Sequence, residues 1–140
     1  MKDKVQLYLI DEVHSAHRLV NTLEDSEWNR SEYGKCYDDI HGHSFKIEVW
    51  LDGEVSDRTG YVVNFGDIKS IIRRYDHRFL NDLFPVGKTT TAENFACLLL
   101  DEIAEEVLID KEVLWDKIKI TIWETERASA TIERENENRR

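Results

Sequence analysis

Proline is nearly absent from this chain: Pro85 is the only one in 140 residues. Glycine occurs just six times. Long Pro- or Gly-rich linkers are therefore excluded, and 1–140 reads as a single domain, long enough to bury a core. No apolar run approaches the roughly 20 residues that cross a bilayer, so no membrane partner is expected. The opening MKDKVQLYLIDEVH alternates apolar and polar residues and is followed by no small-residue cleavage site. No export signal is expected from it, and the expected compartment is the cytoplasm. There is no basic excess either; the formal net charge is -10. Nucleic-acid binding depends on basic patches that neutralise phosphate, so nucleic acid is not an expected partner. The same charge repels small anions unless local cations or a metal override it. Only two cysteines occur, and in a reducing compartment they are not expected to pair. Cys97 lies in AENFACLLLDEIAEEVL, where Phe95, Leu98, Leu99, Ile103 and Val107 follow helical spacing. It is expected in the core. Cys36 lies in a polar loop with Tyr37, Asp38 and Asp39. As an exposed thiol near histidines it is a candidate for reactivity.

What is present has the organisation of an α+β domain. Val5–His14 reads as a strand, followed by a polar loop, NTLEDSEWNRSEYGKC, with no clean period. SFKIEVWLDGEV puts Phe45, Ile47, Val49 and Leu51 on one face of a long strand, and Lys46, Glu48 and Trp50 on the other. SDRTG turns the chain and YVVNF is expected to be extended. Ile68, Ile71, Ile72 and Tyr75 give an apolar helical face, with Asp67 at its start. A second helix is expected from about Thr91 to Val107, with Glu93 in the first turn where the helix dipole favours it. KIKITIWET and SATIERE read as two late strands joined near Glu126–Ala128, and the charged tail from about 134 is expected to fray. The order ββααββ implies helices on one face of an antiparallel sheet. Trp50 and Trp123 on the other face are awkward in water and suggest a cover, such as another subunit.

The five histidines fall at three places: His14 and His17, His41 and His43, and His77. Residues two apart on an extended chain point the same way. His41 and His43 can thus converge on one metal, and Gly42 is expected to leave room for it. A catalytic zinc takes three protein ligands and keeps an open position. His17 is the natural third, because its strand is expected to pair with the one His43 opens. His14, three residues earlier, is expected to face the other side. On spacing alone Cys36 is equally a fourth, structural ligand or a reactive thiol. VGKTTT has the ending of a phosphate loop, but Asp82 stands where that motif needs glycine.

The segments HSAHRL, CYDDIHGHSFKIEV, GYVVNFGDIK, YDHRFLND, TTAENFA and IWETE occur in the order and spacing of one family. From about Val5 to Glu133 the chain resembles the 6-pyruvoyltetrahydropterin synthases. That family includes a microbial branch, the 6-carboxytetrahydropterin synthases of queuosine and archaeosine biosynthesis. The resemblance implies the tunnelling fold: a four-stranded antiparallel sheet with two helices on one face, joining other subunits into a barrel as trimers or hexamers. It implies zinc as cofactor, on His17, His41 and His43. It implies Cys36 as a proton-transferring base, assisted by Asp76 and His77 from different subunits. It implies Glu124 as the anchor of a pterin ring, with Thr91 at a helix start that touches the pterin. A carboxylate suits that ring because it accepts two parallel N–H bonds. Departures are Val13 for the usual phenylalanine and Tyr75 for the usual leucine. The four residues between Cys36 and His41 lie between the three typical of the carboxy-forming enzymes and the five of the pyruvoyl-forming ones. HGHSF and FLND look more like the microbial branch.

The expected activity is that of a zinc-dependent lyase on 7,8-dihydroneopterin triphosphate, giving 6-carboxy-5,6,7,8-tetrahydropterin, acetaldehyde and triphosphate. The first rival is 6-pyruvoyltetrahydropterin as product. The second is a zinc-stabilised assembly protein without turnover. Arg18, Arg78 and Lys88 are the candidate phosphate contacts.

Overall fold

A computed structural model describes residues 3–139; Met1, Lys2 and Arg140 lie outside the described residues. Four strands, β1 (Lys4–His17), β2 (His41–Glu54), β3 (Trp115–Thr125) and β4 (Ala128–Glu135), form one antiparallel sheet in chain order. The helices α1 (Ser26–Tyr33) and α2 (Lys35–Asp38) lie between β1 and β2, and α3 (Phe65–Arg73) and α4 (Ala92–Ile103) between β2 and β3. Alternation sets which side of the sheet is covered. Leu9 and Val13 of β1, Phe45, Ile47, Val49 and Leu51 of β2, and Ile118, Ile120 and Ile122 of β3 are all buried. Against them pack Ile68, Ile71 and Ile72 of α3 and Phe95, Ala96, Leu99, Leu100 and Ile103 of α4. Each of the larger side chains among them contributes about 1.5–3 kcal/mol by leaving water. This is the expected α+β sheet with helices on one face.

The opposite face carries Tyr8, Ile10, Trp50 and Trp123. Tyr8 and Ile10 are exposed, and Glu48 accepts 2.5 Å hydrogen bonds from both Tyr8 Oη and Trp123 Nε1. Lys119 Nζ lies 4.3 Å from the Trp50 ring centre. The aromatics there are thus tied to charged neighbours, not merely left in water.

Several expectations are corrected. The loop before Cys36 contains α1 and α2, because polar contacts hold it where an apolar stripe is missing. Asp25 caps α1 by accepting from Trp28 N at 2.8 Å. Asn29 is buried, accepts from Asn21 N at 2.7 Å, and donates to the carbonyls of Asn21, Glu24 and Asp25. YVVNF is not a strand: consecutive Val62 and Val63 are both buried, without alternation, and Asn64 caps α3 by accepting from Gly66 N. The second helix ends at Ile103 and widens into a π-helical stretch, Ala104–Ile109. Cys97 is exposed. The buried stripe of α4 runs through 92, 95, 96, 99, 100 and 103, and position 97 falls one step past it. The charged tail makes contacts with the sheet as far as Arg139. Asn136 donates to Trp115 O, and Arg139 pairs with Glu54 at 2.6 Å and Asp116 at 3.3 Å.

The strand ends matter most for the site. β1 runs on to His17 and β2 begins at His41, and the two residues are register partners, as are Ser15 and His43. Among the described residues no helix is long and apolar enough to cross a membrane.

Candidate metal centre and active site

The core face of the sheet changes character at one end. After Leu9 and Val13, β1 places Ser15 and His17 on that face; β2 places His41 and His43 there ahead of Phe45. In β3, Glu124 follows Ile118, Ile120 and Ile122 at the same alternation. The ligand atoms of His17, His41, His43 and Glu124 all lie within 4.8 Å of one another. The imidazoles pack edge to face, with ring centres 4.6 Å apart for His17–His41 and 5.0 Å for His41–His43.

Each ring is turned by what its other nitrogen does. His17 Nδ1 donates to the Thr90 carbonyl at 2.7 Å, and His41 Nδ1 to the Asp39 carbonyl at 3.0 Å. That tautomer leaves Nε2 as a lone-pair donor toward the cluster. His17 is fully buried, and the Nε2 atoms of His17 and His43 are buried without a hydrogen-bond partner. His43 Nε2 lies 3.0 Å from Glu124 Oε1 and His17 Nε2 3.6 Å, close in charge but without hydrogen-bond geometry. Buried polar atoms left unpaired are costly. Two such nitrogens converging with a third imidazole and a carboxylate match the donor set of zinc. Burial, first, pushes the His43 imidazole below its ordinary value, the charge of Glu124 opposing. The His17 imidazole beside it, and then the charges of His43 and His41, hold the Glu124 carboxyl below the usual range against its partial burial.

A second cluster sits at the same end of β1, along its free edge, with the His14 ring on the opposite face. Asp76 accepts from His14 N at 2.9 Å, from His77 Nδ1 at 2.7 Å and from Arg73 Nη2 at 2.7 Å. The backbone N–H of His14, then the His77 contact, hold the Asp76 carboxyl below the usual range. His77 takes a left-handed conformation, φ 56°, and its N–H donates to His14 O at 2.7 Å. A side chain that adopts this conformation does so at a cost of about 1 kcal/mol. The His14 ring stands edge-on to His77 at 6.1 Å, and its Nδ1 meets Ser44 Oγ at 2.9 Å. His14, His43, Ser44, His77 and Arg78 are among the residues that line a shallow groove of about 520 Å³.

Of the other expected site residues, Cys36 is half-buried in α2, and its carbonyl accepts from Leu19 N at 2.8 Å. Among the described residues no hydrogen bond or ion pair joins its thiol to Asp76 or His77. Thr91 caps α4, its hydroxyl oxygen accepting from Asn94 N at 3.1 Å. Next to it Ala92, Glu93, Glu124 and Ser129 line a cleft of about 480 Å³. Gly42 does not make room for a metal. The strand turns it to the opposite face from His41 and His43, and a Cβ there would meet Ser15 O at an ordinary 3.5 Å. Sequence reasoning missed Thr90, whose carbonyl orients His17. A backbone acceptor leaves no side-chain signal, and the run Thr89–Thr90–Thr91 does not say which residue faces the imidazole.

The fold and this site define a class: a small α+β protein whose sheet ends in a cluster of three histidines and a glutamate that could hold a metal ion. The family model of 6-pyruvoyl tetrahydropterin synthase matches residues 6–135. The chain belongs to the 6-pyruvoyl tetrahydropterin synthase family. It is 31% identical over 119 residues to the 6-pyruvoyl tetrahydrobiopterin synthase of Dictyostelium discoideum, covering 80% of this chain and 83% of that protein. A putative 6-carboxy-5,6,7,8-tetrahydropterin synthase of Archaeoglobus fulgidus is 36% identical over 73 residues, covering 49% of this chain and 60% of that one. The solved 6-pyruvoyl tetrahydropterin synthase of Caenorhabditis elegans superposes with a TM-score of 0.76 at 26% identity, covering 94% of this chain and 96% of that one.

Proposed function

We propose that this chain is a zinc-dependent lyase acting on 7,8-dihydroneopterin triphosphate. The product in this reading is 6-carboxy-5,6,7,8-tetrahydropterin, made with water and released with acetaldehyde and triphosphate, within queuosine or archaeosine biosynthesis in the cytoplasm. One observation carries the metal: three imidazoles and a carboxylate converge within 4.8 Å, and two of the nitrogens are buried and unpaired. His17, His41 and His43 hold the zinc, which when bound supplies Lewis acidity toward the substrate's side-chain hydroxyls. Glu124 accepts paired N–H bonds from the pterin ring, and its place at the cleft beside Ala92 and Thr91 supports that role. Cys36 moves protons on the side chain, and His77, held by Asp76, relays them. The site in this reading is completed between copies, because among the described residues no hydrogen bond or ion pair joins Cys36 to that pair. The aromatics on the sheet's outer face support the same reading, of a trimer or hexamer.

The carboxy product is favoured by HGHSF and FLND and by the archaeal relative. The Dictyostelium relative favours a second reading, 6-pyruvoyltetrahydropterin. Incubating zinc-loaded protein with 7,8-dihydroneopterin triphosphate and analysing products by mass spectrometry tests both. Acetaldehyde together with triphosphate supports the carboxy product. Triphosphate without acetaldehyde replaces it by the pyruvoyl product. No triphosphate release sinks the enzyme reading and leaves a zinc-stabilised assembly protein.

A further inference from the structure

The turn that carries Cys36 cannot hold its own position. α2 has four residues and no side-chain cap at its start, too short to be stable alone. What fixes it comes from the two residues that follow the ligand His17. Leu19 N donates to the Cys36 carbonyl at 2.8 Å. Arg18 Nε donates to the next carbonyl, that of Tyr37. The Arg18 guanidinium also covers the Tyr37 ring, 4.1 Å from its centre.

Arg18 is itself held. Its N–H donates to Asn81 Oδ1 at 3.0 Å, and Asn81 Nδ2 donates back to its carbonyl at 2.7 Å. The Thr90 hydroxyl donates to the same carbonyl at 3.3 Å, while the Thr90 carbonyl orients His17. From α1, Arg30 lies 5.6 Å from the Tyr37 ring centre and donates to Asp38 at 2.8 Å. One continuous set of contacts therefore runs from the imidazole of His17 to the backbone of Cys36.

We propose that Arg18 and Tyr37 form a positioning clamp that sets Cys36 at a fixed place relative to the histidine–carboxylate cluster. The proposal rests on the reading of Cys36 as the proton-transferring group. It assigns Arg18 a structural task in place of a phosphate contact, since its Nε–H and one face of its guanidinium are engaged by Tyr37. A lysine cannot replace it: an ammonium has no planar face to stack and no Nε–H fixed in the guanidinium plane.

The test uses the full-length zinc-loaded chain. Cys97 is exposed on α4 and serves as an internal reference for thiol alkylation by iodoacetamide. For Arg18→Lys and Tyr37→Ala, the Cys36:Cys97 alkylation ratio is expected to change by about threefold or more, and kcat to fall about tenfold with KM within about twofold, since a small misplacement costs rate before binding. Tyr37→Phe keeps ring and carbonyl and is expected to match the parent. Zinc stoichiometry and circular dichroism are expected to be unchanged throughout, which excludes unfolding as the cause. An unchanged alkylation ratio in both Arg18→Lys and Tyr37→Ala overturns the clamp. A KM raised by Arg18→Ala but restored by Arg18→Lys also overturns it, in favour of a phosphate contact. Cys36→Ser separates the two claims: full activity there defeats the role of the thiol, and the alkylation ratio still decides the clamp.

Discussion

His14 and His17 stand three residues apart on one strand and live in opposite worlds. His17 is fully buried, its Nδ1 bound to a carbonyl and its Nε2 unpaired among two more imidazoles and a carboxylate. His14 is exposed, bonded to Ser44, and stands beside a His77 whose side chain is 78% exposed and paired with Asp76. The strand's alternation makes the separation, but its consequence is chemical. Inside, unpaired nitrogens call for a cation. Outside, rings already paired to hydroxyl and carboxylate are suited to carrying protons. A single strand thus supplies two kinds of histidine to one end of the molecule.

The contrast between the two faces of β1 fails most visibly if the buried cluster does not need metal. Chelation of the zinc-loaded protein is expected to lower Tm by about 5–10 °C, the effect of a tight ligand on a domain of this size. His41→Ala is expected to abolish stoichiometric zinc by elemental analysis, whereas His14→Ala leaves it intact. Equal zinc loss in both variants would dissolve the distinction between the two faces. Next in size is the loss of proton transfer. Asparagine tolerates the left-handed conformation of residue 77, so His77→Asn tests the ring without disturbing the fold. It is expected to lower kcat by about 100-fold or more with full zinc content. A variant that keeps its kcat removes His77 from the chemistry.

Glu124 lies between these roles, and a smaller effect sharpens its assignment. As ring anchor, Glu124→Gln is expected to raise KM about tenfold, because the neutral amide loses one of the paired charged acceptor bonds. Zinc content then stays whole. Loss of zinc in this variant makes Glu124 the fourth ligand instead.

Much of this contrast was legible in the sequence, for a physical reason. His41 and His43 had to share a face, and His14 and His17 had to part, once both segments were taken as extended. The same rule should have placed Gly42 on the far side; its supposed service to the metal contradicts the alternation that aligned its neighbours. Cys97 was misplaced because several leucines beside it masked the true phase of the stripe in α4. α1 was hidden because buried Asn29 organises it through backbone carbonyls, which no apolar period reports. Glu124 was visible only through the family resemblance, since nothing local distinguishes it from Glu126. Asp76 and His77 were readable as a pair, but not their hold on His14, which spans a sequence separation of 62 residues.

The smallest effect is in acid, and its sign follows from the two environments. Burial pushes His43 below its ordinary 6.5. In metal-free protein this imidazole charges more readily unfolded than folded, so its contribution to stability is full above about 6.5 and is lost as pH falls through the lowered folded value. Asp76 is also depressed, by His14 N and His77, and its contribution is full above the unfolded value of about 4 and is lost further down. Stability of the metal-free protein should therefore fall in two steps. His43→Gln is expected to flatten the upper one and Asp76→Asn to reduce the lower, which Glu124 shares. Thermal unfolding from pH 8 to pH 3, with zinc removed, measures both. Zinc should erase only the upper step near neutral pH, because a nitrogen that binds metal cannot take a proton. If Asp76→Asn instead flattens the upper step, the two clusters titrate as one unit, and the division of β1 into a metal face and a proton-carrying face does not hold.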